Sequence, residues 1–340
     1  MPKPSLAGIE SARNGLVDAI GNTPLVALPK LSAAIGRTIL GKAELLNPGG
    51  SVKDRAARGM IEDFERRGML APGGTVVEGT AGNTGIGLAL VGNARGYRTV
   101  IVMPDDQAPE KYALLRTFGA ELHVVVAAPF TNSDNYYHAA RRIAESIPGA
   151  VWANQFENTA NRAAHEATTG PEIIAQTGGE LDAFVAAAGT GGTIAGVGRA
   201  LKAHDPRIRV VLADPYGSAL FNYVKRGKLV AEGDSNAEGI GIKRITANFE
   251  RAPVDDALRV DDRTLVEMAH WLLRNEGLFV GGSAALNVAA AARYARTLPA
   301  GSSVVTILCD GGERYRSRLY DADWLRENDV EPRAQDLSFL

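Results

Sequence analysis

One cysteine, Cys309, stands in the whole chain of 340 residues. A disulfide framework and a cysteine-based zinc site both need several sulfurs, so neither is expected. The five histidines (His123, His138, His165, His204 and His270) are also sparse, and none pair at the four-residue spacing that puts two ligands on one helix face. No metal site is assigned. The chain lacks any run of basic residues; its formal charge of −2 comes from interspersed acids and bases, which speaks against nucleic-acid or anionic-lipid partners. Long apolar stretches are missing too. The opening MPKPSLAGIE has no apolar core of a signal peptide, and the most apolar later stretch, 183–197, is broken by four glycines. A soluble cytoplasmic protein is the expectation.

What the chain does contain is rhythm. Short β-branched runs at 75–77, 99–103, 122–126, 184–188, 209–213 and 303–308 alternate with amphipathic segments. The segments 54–67, 84–95, 109–118, 133–146, 262–275 and 287–296 read as helices with recognisable starts. This alternation predicts an α/β fold built on parallel sheet with helices on both faces. Ligands in such folds sit beyond the carboxyl ends of the strands, so the loop after each run is where chemistry is sought.

After the run 183–188 comes Gly189-Thr190-Gly191-Gly192-Thr193 and then a helical stretch, 194–202. Glycines without Cβ let backbone N–H groups approach a phosphate, and the helix start adds unpaired donors and partial positive charge. Read alone, the loop is also compatible with a tight turn whose glycines serve packing. Ile194 stands where a dinucleotide fingerprint needs glycine, which disfavours a nicotinamide cofactor. A second phosphate-like stretch, Gly36 to Ala43, matches seven positions of a P-loop but ends in alanine where a magnesium-binding hydroxyl belongs. It reads as an ordinary strand.

In Asn47-Pro48-Gly49-Gly50-Ser51-Val52-Lys53-Asp54-Arg55, a turn ends with Ser51 placed to cap a helix whose first turn holds Lys53. A cation there opposes the helix dipole, a setting that favours imine formation over a resting ammonium. By spacing alone, a solvated surface lysine fits as well. The loop Glu78 to Gly87 offers Thr80, Ala81, Gly82, Asn83 and Thr84, whose N–H groups, hydroxyls and amide suit a carboxylate or a neutral oxygen. Glycines for helix packing are the alternative. Ser283, in Val280 to Ala285, is either a helix cap or a donor into a cleft.

Taken together, NPGGSVKDR (47–55), EGTAGNTGIG (78–87), NQFENTANRAAHEATTGPEI (154–173), AAGTGGTIAGVG (187–198), EGIG (238–241), FVGGSAALN (279–287) and CDGGERYRS (309–317) closely resemble the cysteine synthase and cystathionine β-synthase family. These are fold-type II, tryptophan-synthase-like pyridoxal-phosphate enzymes, and the match runs from Gly21 to Arg316 in family order. The resemblance implies two open, twisted, mostly parallel sheets covered by helices. It implies a smaller mobile substrate lobe, 47–157, and a larger cofactor lobe, 1–46 plus 158–340. It makes Lys53 the Schiff-base lysine and catalytic base. Gly189, Thr190, Gly191, Gly192 and Thr193 would hold the cofactor phosphate, with Asn83 at the ring hydroxyl and Ser283 at the pyridine nitrogen. Thr80, Ala81, Gly82, Thr84, Gln155 and Gly239 would meet the substrate.

The activity so implied is β-replacement on O-acetyl-L-serine by sulfide through an α-aminoacrylate, giving L-cysteine and acetate. A serine at the ring nitrogen suits expulsion of a leaving group better than transamination. Cystathionine β-synthase chemistry, or use of O-phosphoserine or thiosulfate, is the near alternative. A homodimer and docking of serine acetyltransferase are further family expectations, the latter including a weakly active regulatory relative. Ala81 replaces the serine often found in the asparagine loop, a proline common near Asn158 to Asn161 is missing, and Ile242 stands where cystathionine synthases often carry an aromatic.

Overall fold

The computed structural model describes residues 13–80 and 82–340. Among these described residues, ten strands form two sheets. The larger contains β1 (Leu25–Ala27), β2 (Thr38–Lys42), β7 (Ala183–Ala187), β8 (Arg209–Pro215), β9 (Asp256–Val260) and β10 (Ser303–Ile307), in the order β1-β2-β10-β7-β8-β9. Only β1 runs antiparallel to its neighbour. The smaller sheet is all parallel, in the order β5-β4-β3-β6, with β3 (Thr75–Gly79), β4 (Arg98–Pro104), β5 (Glu121–Val125) and β6 (Val151–Trp152).

The six β-branched runs found in the sequence are β3, β4, β5, β7, β8 and β10, within a residue or two at each end. Their apolar continuity follows from burial on both faces: every residue of β3 and all but the last of β7 are buried. The false P-loop is β2. Gly36 closes the preceding helix, Pro29–Ile35, at φ +67°, and Lys42 points into protein instead of toward a nucleotide.

Two helix starts differ from expectation. The segment expected from Ser133 begins at Tyr136, because the Asn135 side chain accepts from Tyr137 N–H and caps there. The segment expected from Asn287 is the second half of the helix Gly282–Ala295, which is buried on nearly all sides by alanines that let it lie between β10 and the helix Asp262–Glu276. Ser283 therefore lies inside the first turn, and Gly281 occupies the cap position with no side-chain cap bond. No described helix is long and apolar enough to cross a membrane, and no group of three or more potential metal ligands occurs among the described residues.

Apolar clusters fill both faces of each sheet. The carboxyl ends of β3, β7 and β10 open onto one cleft of about 730 Å³.

Candidate active site

Lys53 is the first residue of the helix Lys53–Arg66, and its side chain lines the cleft half-buried. Its backbone N–H donates to Ser51 Oγ at 3.2 Å, so the serine does hold the helix start, with Val52 intervening as the formal cap. Next to it, Asp54 Oδ2 accepts from Gly49 N–H at 2.5 Å and closes the turn. Burial pushes the Asp54 carboxyl up to about 7 against that hydrogen bond.

The loop after β3 brings neutral donors to the same cleft. Thr80 Oγ1 accepts from Gly82 N–H at 3.2 Å, and Asn83 begins the helix Asn83–Arg95. Thr84 Oγ1 donates to Gln155 Oε1 at 2.6 Å. That bond orients the Gln155 amide, since its oxygen is now occupied by a donor. Ala81, assigned to substrate contact, lies outside the described residues.

Behind this loop Glu78 is fully buried; Oε1 finds no partner among the described residues, and Oε2 accepts from Gln155 N–H at only 3.4 Å. Burial raises its carboxyl to about 8. The folded pKa is above the unfolded value near 4.5, so the group favours folding below about pH 4.5, and that contribution is lost as pH rises through 8. Glu78→Gln is expected to flatten this decline: denaturation midpoints measured from pH 5 to 9 fall more steeply in the wild type than in the variant. Parallel curves would place the titration elsewhere.

The glycine loop after β7 leads into the helix Gly192–His204. Gly191 takes φ +84°, and a Cβ there would lie 2.5 Å from Cβ of Phe249; a Cβ on Gly189 would lie 2.2 Å from the Gly239 carbonyl oxygen. Close packing and exposure of backbone donors are thus the same arrangement seen from two sides. Among the described residues the N–H groups of Gly191, Thr193 and Ile194 find no protein acceptor, and the Thr190 and Thr193 side chains belong to residues that line the cleft. Thr190 Oγ1 accepts from Asn161 Nδ2 at 3.0 Å and Gly192 N–H at 3.3 Å. Thr193 Oγ1 lies 3.3 Å from His165 Nε2, whose ring burial, with help from Arg55 and Lys53, lowers to about 3 and so keeps neutral.

Ser283 is buried at the cleft wall beside Cys309. Burial pushes the Cys309 thiol up to about 11, so it is protonated at neutral pH and unsuited to nucleophilic attack. Asn287, which ends the motif 279–287 but carried no role there, ties the two strand ends: its Oδ1 accepts from Ala187 N–H at 2.7 Å and its Nδ2 donates to the Ile307 carbonyl at 2.9 Å.

Lys53, Thr80, Gly82, Asn83, Thr84, Gln155, Gly189, Thr190, Gly191, Thr193, Gly239 and Ser283 all line the one cleft. Gly192 sits behind it, against Asn161. Sequence reading missed Lys111 and Glu238, an ion pair that also lines the cleft, and Arg318, which donates to Glu238 at 2.9 Å. Glu238 opens the motif 238–241, but nothing local pairs it with Lys111, 127 positions away.

A helix start with free N–H groups and threonine hydroxyls fits a phosphate, and a lysine in the same cleft fits an aldehyde. The class so defined is an enzyme that uses a phosphorylated, amine-reactive cofactor between two parallel sheets. Residues 16–310 match the pyridoxal-phosphate dependent enzyme family, and the chain belongs to it. It is 55% identical to cysteine synthase 1 of Emericella nidulans, over 92% of this chain and 86% of that protein. Among solved structures it resembles an O-ureido-L-serine synthase, with TM-score 0.84 and 36% identity, covering 96% of this chain and 99% of the other. An O-acetylserine-dependent cystathionine β-synthase from Helicobacter pylori aligns with TM-score 0.81 and 36% identity, covering 90% and 98%.

Proposed function

We propose that the chain catalyses β-replacement on O-acetyl-L-serine by sulfide, releasing L-cysteine and acetate. The observation that carries this reading is the meeting, in one cleft, of Lys53, the glycine loop 189–193 and the neutral-donor loop 80–84. Its similarity over most of its length to a protein named cysteine synthase supports the choice of substrates. Bound pyridoxal phosphate supplies an electron sink for charge developing at the substrate Cα. Gly189, Thr190, Gly191, Gly192 and Thr193 hold its phosphate, Asn83 and Ser283 address its ring, and Lys53 holds it covalently at rest.

Thr80, Gly82, Thr84 and Gln155 receive the α-carboxylate through N–H and hydroxyl groups, which orient it without a salt bridge. The freed Lys53 amine then takes the α-proton and later returns it. Gly239, hydrogen-bonded into place through Gly241 N–H and the Ala188 carbonyl at 2.9 Å, bounds the substrate side chain. The lobe 47–157 closes over the substrate. The same reading gives a cytoplasmic homodimer able to dock serine acetyltransferase.

A second reading takes a thiol-bearing amino acid such as homocysteine as acceptor. The opposed charges of Lys111 and Glu238 in the cleft favour it, since they match the carboxylate and ammonium of a second zwitterion. The test is a visible spectrum of the cofactor-loaded protein given O-acetylserine, followed by sulfide, thiosulfate or homocysteine in parallel. A band that changes with O-acetylserine and is restored by sulfide, with cysteine formed, supports the first reading. Restoration by homocysteine alone selects the second, and a band indifferent to O-acetylserine removes it as donor.

A further inference from the structure

The motif 309–317 follows β10, and two of its side chains reach across to the asparagine loop. Asn83 is gripped at both ends of its amide: Nδ2 donates to Asp310 Oδ2 at 2.7 Å, and Oδ1 accepts from Arg314 Nη1 at 2.5 Å. Asp310 is fully buried, and its Oδ2 also accepts from the Tyr315 hydroxyl at 2.6 Å. Burial and the adjacent Asp310 hold that hydroxyl well above its ordinary range, so Tyr315 stays a donor. Asp310 Oδ1 faces Gly281, where a Cβ would lie 2.2 Å away. Arg314 Nη2 donates to the Gly49 carbonyl, in the turn that leads to Lys53.

An asparagine amide can present either its oxygen or its N–H to a ligand, and at equal cost unless neighbours choose. Here they choose. A carboxylate only accepts and a guanidinium only donates, so Asp310 is satisfied by the amide nitrogen alone and Arg314 by the amide oxygen alone. The group left for the cleft is the second N–H of Nδ2. We propose that Asp310 and Arg314 are positioning residues that lock Asn83 as a hydrogen-bond donor to the cofactor's ring oxygen, and that Arg314 couples this lock to the Lys53 turn. The proposal rests on the placement of Asn83 at that oxygen.

The test titrates the visible band of the full chain loaded with pyridoxal phosphate, in the wild type, Asp310→Asn, Arg314→Lys, Asn83→Ala and the double variant Asp310→Asn with Asn83→Ala. An N–H donor stabilises the ionised ring oxygen, so its loss raises the midpoint. Asp310→Asn and Arg314→Lys are each expected to raise it by about one pH unit, the worth of one hydrogen bond to a charged group. Asp310→Asn is expected to add nothing in the Asn83→Ala background. Unchanged midpoints in folded, loaded variants would overturn the proposal, as would an equal added shift without Asn83. If Asp310→Asn does not fold, Arg314→Lys decides alone, since Arg314 is half-exposed and the lysine keeps the charge but loses the fork. A wild-type chain that shows no band with the cofactor removes the cofactor reading and the lock with it, a result distinct from an unchanged midpoint.

Discussion

Lys53→Ala is expected to lower kcat/KM for cysteine formation by about 10⁴-fold or more, while leaving the fold intact. The side chain is half-buried at a helix start and projects into a cleft, so its truncation removes little packing. On the role proposed for Lys53, what it removes is chemistry, twice over. A positioned base is worth about 10² to 10⁴ in rate, and the covalent hold on the cofactor is lost as well. A 10⁴-fold loss corresponds to about 5 kcal/mol of transition-state stabilisation. Steady-state kinetics check the loss, and borohydride reduction followed by peptide mass analysis checks the attachment: the wild type should carry the cofactor mass at Lys53 and the variant should not. A variant that keeps more than a tenth of the activity would move the base to another residue.

Arg55→Ala is expected to cost about 3–5 kcal/mol and to lower the melting temperature by about 5 °C or more. Its side chain is 1% exposed and holds two carboxylates at once: Nε and Nη2 donate to Glu44 at 2.7 and 2.8 Å, and Nη1 and Nη2 to Glu172 at 2.7 Å each. Lys42, fully buried, completes a balanced set by donating to Glu172 and to the Thr23 carbonyl at 2.6 Å each. Removing the arginine leaves Glu44 buried beside a second carboxylate with one cation between them. Breaking one partner of such a set costs far more than the set contributes as a whole.

The same network sets an acid limit. Burial alone would raise Glu172, but hydrogen bonds from Arg55 and then Lys42 outweigh it and hold the carboxyl down at about 2. Its stabilisation is present above the unfolded value near 4.5 and is lost as pH falls toward 2. In Arg55→Ala that part of the acid transition is expected to move to higher pH. Because Arg55 lies two residues beyond Lys53 on one helix, a fall in kcat should accompany the thermal loss. Chemical denaturation at pH 3, 5 and 7 checks the sign; equal destabilisation at all three would exclude the charge argument.

Much of this site was legible in the chain itself. Parallel strands buried on both faces must be continuously apolar, which is why β3, β4, β7, β8 and β10 stand out as runs. The loops at their ends carry glycines and hydroxyls in tight local patterns, so Lys53, Asn83 and the 189–193 loop could each be singled out from a few neighbouring residues. The edge strands β1, β6 and β9 could not, although β5, also at an edge, could. β9 reads Asp-Ala-Leu-Arg-Val, with charges that an edge position lets reach water, and β6 is only two residues long.

The sequence by itself determined the alternation of strand and helix, the places where backbone donors are laid bare, and the lysine poised at a helix start, because each depends on residues within a turn or two of one another. Only the tertiary structure decided which charges are buried and which side chains hold the reacting ones. Lys42 and Glu172 stand 130 residues apart, and Asn83 and Arg314 231 apart. Nothing local distinguishes Lys42 and Glu172 from surface charges, or marks Arg314 as the partner of Asn83. It is the stacking of β2, β10 and the helix Gly170–Gln176, and the arrival of the β10 end beside the asparagine loop, that removes water from these groups and makes each one's partner obligatory.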